Sequence, residues 1–184
     1  MVSKDELFIL SFYRSSELAG CILFGKLAFI TDIDEIRADL TEHCLEEAEH
    51  TMVFTRLIRD LGNVPLKVTD TYQTEYGKLA GMPKNMLEIL CLTQVLEKRV
   101  VAHYSKHMRK PGIHPKIYAA LKQMVEEETE HVGGWVLQKL DQYAQEHGKT
   151  VVEETLKKFT EYDTQVYDKL SSQSPFKEYF EGVE

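Results

Sequence analysis

Four stretches of this chain carry apolar residues at alternating spacings of three and four, and a single glutamate interrupts each stretch near its middle. Leu10, Tyr13, Glu17, Gly20, Phe24 and Leu27 share the first stripe. Ile33, Leu40, Glu47, Phe54 and Leu61 recur at strict sevens in the second. Leu87, Leu90, Gln94, Glu97, Val101, Tyr104 and Met108 make the third, and Ile117, Leu121, Met124, Glu128, His131 and Trp135 the fourth. The period is that of an α-helix, and the stripe is the face a helix turns toward a core. A carboxylate on such a face is rare unless it is paired or bound to metal, because stripping its water costs several kcal/mol. Four of them together repel one another unless protons or cations compensate. The pattern predicts an all-α chain with a neutralising species at its centre.

Two of the glutamates sit in near-identical segments, "EEAEH" at 46–50 and "EETEH" at 127–131. His50 and His131 each follow their Glu by three residues, about 60° round the helix axis, so each pair points the same way. Four ionised glutamates and two neutral imidazoles bring a charge of −4, which two divalent cations would cancel. Carboxylate-rich sites with one imidazole per metal suit Fe(II) or Mn(II) better than structural zinc, which prefers Cys and His. Glu17 to Glu47 is 30 residues and Glu97 to Glu128 is 31, each a plausible way out and back along a helical hairpin.

Breaks fall at "FITDID", "DLGNVP", "RKPGIHP" and "EHGKT". They predict helices from about residue 6 to Ile30, from Asp32 or Asp34 to Gly62, from "GMPKN" to Met108, and from "HPK" to about 147, where Pro115 occupies a permitted first-turn position. A shorter helix over about 150–171 and an acidic tail close the chain. Residues 63–84 form one long connection, the crossover that a four-helix bundle with short first and third links requires. The 184 residues make one ordinary domain, 1–184, with the bundle over about 6–147.

The ordered set resembles the ferritin-like di-iron carboxylate proteins, whose four helices carry Glu, Glu-x-x-His, Glu and Glu-x-x-His in turn. "SSELAG", "EEAEH", "QVLEKR" and "EETEH" supply them here, and the likeness spans roughly residues 6–146. It implies a ferritin-like up-down-down-up four-helix bundle with a long crossover between helices two and three and a fifth helix after it. It implies two iron ions, manganese or a mixed pair being open alternatives. Glu17 and His50 would serve one metal, Glu97 and His131 the other, and Glu47 and Glu128 would lie between them. Animal-type storage ferritins lack the second motif His, so His131 points toward the rubrerythrin, bacterioferritin and oxygenase-like branches. The two C-x-x-C pairs of a rubredoxin module are not seen, which leaves single-domain relatives of rubrerythrin, the tRNA-hydroxylating MiaE proteins and the aldehyde-deformylating oxygenases as the nearest likenesses.

The activity this implies is a non-haem di-iron oxidoreductase that takes dioxygen or peroxide, with an external electron donor and a small organic substrate. The alternative is a ferroxidase that stores or buffers iron. Tyr13 and Tyr104 flank the glutamates on their stripes, as donors that orient carboxylates, as radical-capable phenols, or as core residues with satisfied hydroxyls. Glu46, Glu49, Glu127 and Glu130 read as solvated, with Glu46 or Glu127 the fallback if the register slips by one. His43, His103, His107, His114 and His147 read as surface or capping residues. Gly20 and Gly134 mark either a narrow apolar pocket or close helix packing. Cys21 and Cys44 are expected to be neighbours, reduced and in the core.

A net charge of −8 argues against nucleic acid and anionic membrane as partners, although the MiaE likeness keeps tRNA open. Three cysteines without C-x-x-C spacing indicate neither a disulfide scaffold nor a zinc knuckle. No leader is expected at the N-terminus, nor an apolar stretch approaching the roughly 18 residues of a spanning helix. The expected location is the cytoplasm; a homodimer is left open, and the iron-storing alternative implies a larger oligomer.

Overall fold

A computed structural model of the chain describes residues 2–182. Eight helices make up the regular structure of those residues, without a strand among them: α1 (Lys4–Ile30), α2 (Asp34–Asp60), α3 (Tyr72–Ala80), α4 (Met86–Met108), α5 (Pro115–Gly133), α6 (Trp135–His147), α7 (Lys149–Ser171) and α8 (Phe176–Phe180). They fall into two compact units, Met1–Glu75 and Tyr76–Glu184.

The first unit is a helical hairpin. Ser3 caps α1 by accepting the Glu6 amide at 3.0 Å, and α1 ends at Thr31, whose hydroxyl accepts the Ile33 amide at 3.2 Å. α2 then begins at Asp34 with Ile33 as its N-cap and no side-chain cap. Asp34 and Glu35 favour that end through the helix dipole instead. Ile9, Leu10, Phe12, Tyr13, Phe24 and Leu27 of α1 are buried, as are Ile36, Leu40, Phe54, Leu57 and Ile58 of α2. The α1 stripe is the expected one; of the expected α2 sevens Leu40 and Phe54 are buried, while Ile33 and Leu61 cap the helix and are half-buried. Arg14 Nε donates to Thr55 Oγ1 at 2.7 Å, and the Leu66 amide donates to Ser11 Oγ at 3.0 Å, which holds the outgoing chain against α1.

Several features differ from the sequence reading. α1 is long and apolar enough to cross a membrane by length and composition, which corrects the expectation that no such stretch exists. Arg14 and Glu17 interrupt the apolar run without outweighing it. Just over half of the window, 56%, is buried inside the protein, and a core helix passes the same test. The connection 63–84 contains a helix, α3, whose Thr71 and Thr74 side chains exchange hydrogen bonds with each other's amides at 2.7 and 3.1 Å. The helix expected from Pro115 to about 147 is two helices, broken at Gly134 with φ −87° and ψ −136°.

The second unit is built on α4, with α5, α6, α7 and α8 packed against it. Asn85 accepts the Glu88 amide at 2.9 Å while Glu88 accepts the Lys84 amide at 2.8 Å, a reciprocal cap at the start of α4. Arg99 on α4 forms a bidentate pair with the buried Asp163 of α7, at 2.6 and 3.2 Å, and lies 4.5 Å from the centre of the Tyr167 ring. The α8 segment is anchored by aromatic contacts. Phe180 stacks on His103 at 3.9 Å and 4°, and Tyr179 meets His107 edge-on at 4.8 Å.

His103 and His107 are therefore core residues, which corrects their reading as surface positions. His114 does cap α5, accepting the Lys116 amide at 3.2 Å, and His147 is exposed at the end of α6. Burial, and secondarily the Arg99 guanidinium, hold the His103 imidazole well below its ordinary pKa. An unfolded imidazole takes a proton near pH 6.5, so below about that point the unfolded chain binds more protons than the fold. Stability is therefore lost as pH falls through about 6.5, by up to about 1.4 kcal/mol per pH unit from this one group. The His103→Gln variant is expected to show a flatter fall in urea midpoint between about pH 7.5 and 5.5. An unchanged slope would contradict the assignment.

Candidate metal-binding site

In the first unit Glu17 of α1 and Glu47 and His50 of α2 come together, with one ligand atom of each within 4.8 Å of the others. Glu17 is 1% exposed, Glu47 6% and His50 4%. His50 presents Nδ1 to Glu17 Oε2 at 3.7 Å. In the second unit Glu97 of α4 joins Glu128 and His131 of α5 within the same limit. Glu97 and Glu128 are buried, and His131 is half-buried. His131 Nδ1 lies 3.2 Å from Glu128 Oε2 and 4.0 Å from Glu97 Oε2. The two trios have the same composition and the same presentation of Nδ1 to carboxylate. Each is assembled by one helical hairpin, because an i, i+3 pair on one helix faces a single Glu on its partner.

The backbone is shaped around these side chains. Gly20 lies one turn beyond Glu17, and a Cβ there would fall 2.6 Å from Glu47 Oε2. The missing side chain is the space the Glu47 carboxylate uses, so Gly20 follows the close-packing alternative. Gly134, three residues after His131 and the C-cap of α5, is fixed by a different approach. A Cβ there would lie 2.7 Å from the Glu130 carbonyl oxygen, so only glycine permits this break. Gln94, one turn before Glu97, donates through Nε2 to the Val132 carbonyl at 3.3 Å and ties α4 to the chain just after His131. Its buried Oε1 finds no hydrogen-bond partner among the described residues.

Glu49 and Glu130 are exposed and Glu46 and Glu127 half-buried, whereas Glu47 and Glu128 are the buried glutamates of the two motifs. Tyr13 and Tyr104 are both buried. Tyr13 packs its ring on Phe54 at 5.6 Å, and Tyr104 lies two turns beyond Glu97 on α4. His43 was missed by the sequence reading. It is 1% exposed, meets Phe24 edge-on at 4.1 Å, and brings Nε2 to 3.7 Å of Glu47 Oε1. The signal was its position four residues before Glu47 and seven before His50, on the same face of α2.

Residues 16–165, about four fifths of the chain, match the family model described as ubiquinone biosynthesis protein COQ7. The chain belongs to the COQ7 family. The matched region contains all six residues of the two trios. No curated protein and no solved structure matches the chain. COQ7 is a family of ferritin-like di-iron carboxylate proteins, as the resemblance implied, but one that the sequence reading did not number among its nearest likenesses. Its members are di-iron hydroxylases of ubiquinone biosynthesis. The donor set of this COQ7-family chain suits such a pair of metals. Each trio offers carboxylate oxygens and one imidazole nitrogen, hard and borderline donors, with no thiolate among them.

The Gly20 notch separates a ligand role for Glu47 from a purely structural one. In Gly20→Ala the added methyl displaces the far end of a flexible side chain, not backbone, so the helix survives and gains up to about 1 kcal/mol from propensity. The expected outcome is a metal-free protein at least as stable to urea as the parent, with Mn(II) affinity at one site weakened by about tenfold or more. Unchanged Mn(II) binding by calorimetry would show that Glu47 is not a ligand.

Proposed function

We propose that this protein is a di-iron hydroxylase that inserts one oxygen atom from dioxygen into the ring of a ubiquinone precursor. The observation that carries the reading is the pairing of a family match across residues 16–165 with two like trios of buried carboxylates and imidazole inside it. Glu17, Glu47 and His50 would hold one iron, and Glu97, Glu128 and His131 the other. When bound, a ferrous pair supplies the electrons and the Lewis acidity with which dioxygen is reduced.

The chain's own contribution is donor geometry and exclusion of water. Deep burial of Glu17, Glu97 and Glu128 keeps bulk solvent from the ligand oxygens, so their charge is felt in a low-dielectric surrounding. His50 and His131 must be neutral to offer Nδ1, and the Glu residues ionised, so acid competes with metal for the same atoms. Gln94 and Gly134 fix where His131 stands. Tyr13 and Tyr104 would act on the site by hydrogen bonding, at one remove from the metals. The reaction balances with an external two-electron donor: one oxygen atom enters the ring, and the second leaves as water with two protons.

The test is to load the protein anaerobically with Fe(II), then add dioxygen, a reductant and a short-tailed prenylated benzoquinol that lacks one ring oxygen. The expected product is heavier by one oxygen atom, and Glu97→Ala or Glu128→Ala lowers its rate by at least about 100-fold. Tyr104→Phe keeps both metals and slows turnover. Consumption of Fe(II) into a ferric mineral with the benzoquinol left intact would instead favour the iron-storing alternative.

A further inference from the structure

Cys21 lies one turn beyond Glu17 on α1, and Cys44 lies one turn before Glu47 on α2. Their Sγ atoms are 3.8 Å apart, and the Cys44 thiol donates to the Cys21 carbonyl oxygen at 3.3 Å. Both are free thiols and half-buried, whereas the third cysteine, Cys91, is fully buried with its thiol pushed up to about 12 by burial. The Cys44 sulfur also occupies a notch in α1: a Cβ on Gly25 would stand 3.1 Å from it. Gly20 and Gly25 therefore bracket Cys21 on α1 and receive Glu47 and Cys44 of α2. This is a stretch where small residues let the two helices approach closely. The sequence reading expected the two cysteines to be neighbours in the core; they are neighbours, but reachable from outside it.

We propose that Cys21 and Cys44 form a peroxide-sensitive thiol pair that closes to a disulfide, clamping α1 to α2 beside Glu17 and Glu47. The chemistry takes two steps. The thiolate of one cysteine attacks an oxygen of hydrogen peroxide, the O–O bond breaks, and hydroxide leaves to be protonated to water, so that a sulfenic acid remains. The second thiol attacks the sulfenic sulfur, the S–S bond forms, the S–O bond breaks, and a second water leaves. Two electrons pass from the sulfurs to the peroxide. A dithiol reductant reverses the closure by exchange.

Closure needs the sulfurs to move from 3.8 Å to about 2.05 Å, which side-chain rotation and a small approach of the helices can supply. That approach is felt at Glu47, because the Gly20 backbone already borders its carboxylate and leaves it no slack on that side. Burial, and then the hydrogen bond and charge of Cys44, raise the Cys21 thiol, which slows its own attack on peroxide. Under the function proposed above, on which this last point rests, peroxide is the oxidant that incomplete reduction of dioxygen would supply beside the pair.

The pairing is tested on metal-free full-length protein treated with hydrogen peroxide. The expected result is loss of two of the three thiols, a monomer lighter by two hydrogens, and a digest peptide that links Cys21 to Cys44. Dithiothreitol restores both thiols. Cys21→Ser and Cys44→Ser each abolish the linked peptide and leave one sulfenic acid that dimedone traps. Persistence of all three thiols, oxidation of Cys91 alongside the others, or cross-linked dimers would overturn the proposal. The coupling is tested by Mn(II) titration of both forms: affinity at one site falls roughly tenfold on oxidation in the parent and is unmoved by peroxide in Cys21→Ser. Equal affinity in the two parent forms overturns the coupling. Mn(II) binding to neither form contradicts the function proposed above and the coupling with it, while the linked peptide still decides the pairing.

Discussion

A carboxylate taken out of water must find a proton, a cation or a set of donors, and that requirement organises each half of this chain. Glu17 and Glu47 are buried in one helical hairpin beside His50 and His43, and Glu97 and Glu128 in the other beside His131. Removing an ionised group from water carries an effective penalty of several kcal/mol, while a whole domain is stable by only about 5–15 kcal/mol. Aliphatic packing around four such groups cannot offset them alone. Two divalent cations would, and the residues round each trio are arranged as they would be for that purpose. Gly20 yields room to a carboxylate, Gln94 braces the backbone after His131, and the break at Gly134 follows directly.

The helices were legible because each buried face keeps a helical period through its own interruption. Leu40, Glu47 and Phe54 remain at sevens, and all three are buried, so the glutamate is part of the stripe and not a gap in it. What the sequence did not reveal is where side-chain chemistry runs against its usual place. Imidazoles are commonly exposed, yet His43, His103 and His107 each lie against an aromatic ring in the core. Their identity alone carries no sign of that; their phase does, since His43 shares the face of Glu47, and His103 and His107 lie one turn apart on α4. The break at Gly134 depends on a backbone contact with the Glu130 carbonyl, which no periodicity encodes. The helix α3 begins in a threonine-rich turn whose hydrogen bonds replace the apolar repeat that marks the longer helices.

Oxygen chemistry asks of a protein both a dry, well-placed donor set and some tolerance of its own by-products. The two requirements meet in the α1–α2 hairpin. Small residues bring its backbones close enough to seat Glu47, and the same closeness sets two thiols side by side. The COQ7 family relationship gives the hairpin its chemical setting, since the family's members are di-iron hydroxylases. In the second unit the corresponding turns carry no such pair. Its structure is spent on anchoring the C-terminal segment through Arg99, Asp163 and the rings that cover His103 and His107.

The most direct measurement is thermal unfolding of metal-free protein during an anaerobic Mn(II) titration. If metals neutralise the buried acids, the unfolding midpoint rises with each addition and stops rising at two equivalents per chain. A midpoint that does not move, or that climbs without saturating as weak surface binding would make it, contradicts the account.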